Sequence, residues 1–172
     1  DSGVHFVAID LFCVVYANDV CSKIVNGVSQ LIRAMVPFTK KAIQWMGDCF
    51  KNVNIVVKAG GFELKLELNQ ANFDPVEGIK DILIGLEKVA KKQNKRVVIF
   101  IDEFQDLLRA DHADRIQATI RSVAQVAEYL CFIFSGSSRY MLKKIFDDRN
   151  QPLYMLCEQI RLERISVEEF KK

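Results

Sequence analysis

Apolar residues in this chain recur with two different periods. His5 to Phe12 (HFVAIDLF) is a mostly apolar, β-prone run suited to a strand buried on both faces. From Asn18-Asp19 the spacing becomes helical: Cys21, Ile24, Val25, Val28, Leu31, Ile32 and Met35 form one stripe, and Asp19 can cap the first turn. Pro37 breaks this pattern, and Ala42 to Phe50 predicts a second helix with Ile43, Trp45, Met46 and Phe50 available for packing. Val53 to Lys58 then reads as an apolar strand, Gly60-Gly61 as a turn, and Phe62 to Leu68 alternates strictly. That combination predicts a β-hairpin, over about residues 53–69, inserted at the edge of the main sheet.

Asp74-Pro75 opens a further helix with Ile79, Ile82, Leu83, Leu86, Val89 and Ala90 on one face. The lysines near its end (Lys88, Lys91, Lys92, Lys95) complement the helix dipole and read as a solvated helix end rather than a nucleic-acid patch. Arg96 to Ile101 is the most strongly buried-looking strand, followed by a helix over Asp114 to Ala127 and a strand over Tyr129 to Phe134. Tyr140 to Phe146 predicts a helix, Pro152 a break, Gln159 to Leu162 a last strand, and Ser166 to Lys172 the start of another helix. Apolar strands separated by amphipathic helices predict an α/β fold: a mostly parallel sheet covered on both sides, three layers in all.

Composition narrows the classes. The chain has 172 residues, 50% hydrophobic and 27% charged, with a net charge of +2, enough for one domain with a sizeable core or at most two small ones. The charge balance excludes the strongly basic footprint of a dedicated nucleic-acid binder, and the apolar content excludes a disordered chain. No apolar run is long enough to span a bilayer, so no membrane partner is expected, and the first ten residues lack a signal-peptide layout. Five cysteines show no CxxC pairing, and Cys13, Cys131 and Cys157 lie in apolar runs, which predicts reduced, buried thiols in a cytoplasmic protein. His5 and His112 are too isolated to suggest a zinc site.

The chemistry concentrates in Val97 to Asp106, VVIFIDEFQD. In open α/β sheets ligands bind beyond the carboxyl ends of the strands, and here a buried strand delivers two adjacent carboxylates to that edge. In a P-loop ATPase the first acid helps hold Mg²⁺ on the β- and γ-phosphates and the second polarises the attacking water. Neighbouring residues of an extended chain point to different sides, so Asp102 and Glu103 can serve these separate roles. The plain alternative is a polar strand end with Asp102 capping the next helix.

Asp102 to Asp106 resembles the acidic motif of superfamily 1 helicases, but the strand that follows ends Phe134-Ser135-Gly136-Ser137-Ser138, without the acid and glutamine those enzymes carry. A broader resemblance, over roughly Val4 to Phe170, is to AAA+/STAND-type ATP-binding proteins of archaea and bacteria. It rests on Val97–Gln105 as a Walker B strand, Arg121-Ser122 on the next helix, Phe132–Ser138 as a strand with a Gly-Ser turn, and Pro152-Leu153-Tyr154. The resemblance implies ATP and Mg²⁺ as ligands, Asp102 as the Mg²⁺-associated acid, Glu103 as catalytic base, and Ser137, or alternatively Ser135, as the sensor of the γ-phosphate or attacking water. It also implies Arg121 as a residue able to reach a nucleotide in a neighbouring subunit of a homo-oligomer. Many relatives continue Pro-Leu-Tyr with Gly-Arg, whereas Met155-Leu156 stands here, so no arginine role carries over to that spot. Arg139 and Asp147-Asp148 read as surface and turn residues, and Trp45 as core.

A phosphate cradle needs GxxxxGK[ST], because backbone N–H groups and a lysine must approach the phosphates. None of the eight glycines is followed by lysine. In the family order that loop precedes the strand at His5–Phe12. The expectation is therefore a partial AAA+-type ATPase domain over residues 1–172, incomplete at its N-terminus, with the P-loop segment, lid and C-terminal effector module lying elsewhere. Such a chain would be inactive alone. The alternative is a loop-less pseudo-ATPase scaffold that acts by binding other proteins. The biological process, and any role for nucleic acid, are left open by the sequence.

Overall fold

Three parallel strands carry the structure, a computed structural model that describes residues 3–37, 39–50, 53–57, 64–68 and 73–162. They are β1 (Val4–Asp10), β4 (Arg96–Asp102) and β5 (Leu130–Phe134), in the order β1-β4-β5 with β4 central. The register sets Val7 beside Ile99 and Asp10 beside Asp102, and Ile99 in turn beside Phe132. Between β1 and β4 lie α1 (Ala17–Met35), α2 (Lys40–Cys49), the antiparallel pair β2 (Val53–Val57) and β3 (Leu64–Leu68), and α3 (Pro75–Gln93). A 3₁₀ segment (Phe104–Arg109) and α4 (Ala113–Ala124) connect β4 to β5, and α5 (Arg139–Phe146) follows.

Local chemistry explains the helix ends. Asp19 sits in the first turn of α1, and its carboxylate accepts the N–H groups of Val15 and Tyr16, so it caps from inside the helix rather than from its boundary. Asp74 caps α3 by accepting the Val76 N–H at 2.9 Å, Pro75 takes the first helical position, and Asn94 closes the helix with φ 51°. Gly27 lets α1 approach the sheet, since a Cβ there would lie 2.9 Å from Ile9.

Both crossovers advance the sheet in one direction, β1 to β4 to β5. Parallel connections are right-handed, so their helices fall on one face. That face is the core: Val7, Ile9, Val97, Ile99 and Ile101 meet the buried stripes of α1, α3 and α4. Each fully buried aliphatic side chain contributes about 1.5–3 kcal/mol of transfer free energy. The opposite face carries no helix among the described residues. Phe6 is 76% exposed, and Ala8, Cys131 and Ile133 are also exposed. The third layer expected from the sequence is therefore not formed by the described residues, and β1 is buried on one face only.

Three further expectations need correction. The hairpin forms its own two-stranded sheet against α1, α2 and α3 instead of pairing with the main sheet, and its Gly60-Gly61 turn lies outside the described residues. Gln159–Leu162 forms no strand, and Ser166–Lys172 lies outside the described residues. Cys13 and Cys131 are exposed, because one occupies a loop and the other the uncovered sheet face; Cys21 alone is fully buried, and burial pushes its thiol up to about 12.

Candidate functional site

The 3₁₀ segment after β4 was not anticipated, and it builds the site. Phe104 is completely buried, with its ring centroid 4.4 Å from that of Phe134 and 5.8 Å from that of Phe146. This aromatic anchor ties the chain immediately after the acid pair to β5 and α5. The backbone reinforces it: Ser135 N–H donates to the Ile101 carbonyl and Phe104 N–H to the Ser135 carbonyl, both at 2.9 Å.

Held this way, the DE pair and the serine turn are interlocked. The Ser135 hydroxyl donates to Asp102 Oδ1, which also accepts the Glu103 N–H at 3.0 Å. The Ser137 hydroxyl donates to Glu103 Oε2 at 2.9 Å, and Gln105 Nε2 donates to the same oxygen. Glu103 has φ 47° and ψ 40°, a left-handed conformation that costs a residue other than glycine roughly 1–2 kcal/mol. Strain of this kind persists where the surroundings over-determine the backbone, as the flanking bonds of Ser135 and Phe104 do here.

Four of the five candidate residues thus converge: Asp102, Glu103, Ser135 and Ser137. Arg121 does not join them. Its guanidinium donates to the carbonyls of Pro152 and Tyr154 at 2.7 and 2.8 Å, linking α4 to the Pro-Leu-Tyr segment. Arg139 donates to the Leu162 carbonyl, and Asp148 accepts from Asn150 in a local turn. Gln105 and Gly136 belong to the site although sequence reasoning gave them no role; Gln105 was visible only as a letter of the DEFQ run.

The donor set suits a hard cation that keeps most of its waters. Among the described residues the hydrogen bonds to Asp102 fall on Oδ1, so Oδ2 faces no competing donor. No group of three metal-ligating side chains forms among the described residues. A closed cage is therefore lacking, whereas Mg²⁺ characteristically uses one or two carboxylates together with substrate phosphates.

No protein-family profile matches the sequence, and no curated protein sequence does. Among solved structures the chain is similar to a Walker-type ATPase of Pyrococcus abyssi, with a TM-score of 0.50 and 16% identity over 87% of this chain and 39% of that one. The chain thus spans well under half of that protein's length. The likeness is one of fold alone: a parallel α/β sheet with helices packed against it. No helix among the described residues is long and apolar enough to cross a membrane.

Proposed function

We propose that this chain is the Walker B and sensor portion of an ATP-binding, ATP-hydrolysing domain of the AAA+/STAND type, with the phosphate cradle supplied by protein outside these 172 residues. The observation that carries the reading is the interlock of Asp102 and Glu103 with Ser135 and Ser137 at the carboxyl ends of two adjacent parallel strands. A strand end without a task has no need of two serines from the next strand, nor of a strained glutamate.

In this reading Asp102 would hold Mg²⁺ through its Oδ2, and the ion would supply charge neutralisation to the nucleotide phosphates. Glu103 takes a proton from the attacking water. The Ser137 hydroxyl, which donates to Glu103 here, can rotate to the γ-phosphate or to that water. The Phe6/Ala8/Ile133 face and the outer edge of β5, both without a partner element among the described residues, fit a strand–loop–helix segment that would reverse the sheet order. Such a reversal creates the crevice in which nucleotides bind. Hydrolysis would drive a conformational switch passed to a lid and a C-terminal module.

The test is hydrolysis of ATP by the protein carrying a GxxxxGK[ST] segment upstream of Val4. Mg²⁺-dependent turnover is expected, with Glu103→Gln lowering it by about 10²–10⁴-fold. The second reading, a scaffold without a cradle, draws on the uncovered apolar face as a partner surface. It predicts instead no such upstream segment, no hydrolysis, and partner binding that Glu103→Gln leaves intact.

A further inference from the structure

We infer that Gln105 is a positioning residue that latches the Glu103 carboxylate; the geometry stands by itself, and its catalytic consequence rests on the ATPase reading above. Gln105 is only 4% exposed and is the second residue of the 3₁₀ segment, two residues after Glu103. Its Nε2 donates to Glu103 Oε2 and lies 3.5 Å from Ser137 Oγ, while the Ser137 hydroxyl donates to that same carboxylate oxygen at 2.9 Å.

The amide has one workable orientation. An ionised carboxylate only accepts hydrogen bonds, so the NH₂ end must face Glu103. The carbonyl end is thereby turned towards Gly136, where Oε1 is buried without a partner among the described residues. A leucine of similar size would fill the space and leave no orphaned acceptor. An amide that tolerates one is accounted for by what its other end does. Gly136 completes the arrangement, since a Cβ at that position would collide with Gln105 Oε1.

Two donors from separate elements, the 3₁₀ segment and the turn after β5, therefore converge on Oε2 of a residue whose backbone is also constrained. The carboxylate cannot swing freely, and Oε1 of Glu103 is the oxygen left to receive a proton from water. Gln105 touches no reacting atom in this scheme. It acts through Glu103 by fixing its rotamer.

Two measurements test the latch. In the 172-residue chain, the side-chain NH₂ resonances of Gln105 should be displaced from those of a solvent-exposed glutamine and slow to exchange. Glu103→Ala should return them to ordinary values, in an experiment that needs no substitution at Gln105. Resonances indifferent to Glu103→Ala overturn the inference. In the protein carrying the phosphate cradle, Gln105→Leu should lower kcat about tenfold or more with KM for ATP·Mg²⁺ unchanged. Gln105→Glu, which sets carboxylate against carboxylate, should lower it further, and Gly136→Ala should reproduce the loss. An unchanged kcat in Gln105→Leu overturns the inference, as does a loss that follows a fall in Tm and raises KM alike, the mark of a merely structural residue. A wild-type protein that has its cradle and hydrolyses nothing, with the resonance response intact, sinks the ATPase reading and leaves the latch standing.

Discussion

The carboxylate of Asp106 accepts the backbone N–H of Cys13 at 2.9 Å, although 93 residues separate them. Cys13 has φ 59° in the loop between β1 and α1, and further bonds secure that loop. Leu11 N–H donates to the Asp102 carbonyl, and Ala17 N–H donates to Asp111. The segment beside the acid pair is thus pinned to the chain that follows β4, and a mobile rim is replaced by a fixed one.

Asp106→Ala should therefore destabilise the chain by about 0.5–1.5 kcal/mol, the net worth of the hydrogen bond that the Cys13 N–H loses. Asp106→Asn keeps an acceptor and should cost less. Urea unfolding of the two variants checks this, and equal losses would place the effect in something other than the Cys13 bond.

The two faces of the sheet should respond oppositely to substitution. Ile99 is fully buried beneath the helices, so Ile99→Ala should cost about 2–5 kcal/mol. Phe6, only one strand away, is 76% exposed, and Phe6→Ser should change the stability of this chain by no more than about 0.5 kcal/mol while reducing self-association. Thermal unfolding and light scattering read the two effects. A large loss for Phe6→Ser would mean that the apolar face is covered.

Arg121 offers a sharp contrast between roles. Its two bonds to the Pro152 and Tyr154 carbonyls make it a tie between α4 and the segment that buries Leu153. Arg121→Ala should destabilise by roughly 1–2 kcal/mol and speed hydrogen exchange at Leu153 and Leu156. Arg121→Lys should rescue little, since an ammonium lacks the planar fork that reaches both carbonyls. An arginine acting on nucleotide in a neighbouring subunit would show the reverse: unchanged exchange and lowered turnover.

Thiol ionisation gives a pH dependence with a definite sign. Burial raises the Cys21 thiol from 9.0 to about 12, so between those values the unfolded chain loses a proton that the folded chain keeps. Stability from this group is intact below about pH 9 and falls as pH rises towards 12, by up to about 1.4 kcal/mol per pH unit. Cys49 and Cys157 are raised in the same direction by burial and add to the slope. Cys21→Ala should flatten the alkaline limb of a stability–pH curve. In native protein a thiol reagent should modify the exposed Cys13 and Cys131 well before Cys21.

Much of the fold could be read from local pattern because local physics sets it. The stripes of α1 and α3, the Asp74-Pro75 start and the apolar run of β4 each declare their period and ends within a few residues. The hairpin's alternation was equally legible, but its placement was not. Alternation states that one face is wet, not which layer the dry face meets. Residues 159–162 failed for a related reason: four residues with two apolar side chains carry too little signal to decide between strand and coil.

For the site, the sequence by itself determined that two carboxylates end a buried strand and that a serine-rich turn ends another, because burial and turn chemistry are written in adjacent residues. Only the tertiary structure decided that the turn reaches back 33 and 34 residues to those carboxylates, that Gln105 is drawn in to hold one of them, and that Arg121 is spent on a distant loop. It also decided that one sheet face carries no helix among the described residues. The physical reason is common to all four. Strand order and crossover handedness determine which distant groups become neighbours, and hydrogen-bonding capacity then settles how they pair; neither property belongs to any short stretch of chain.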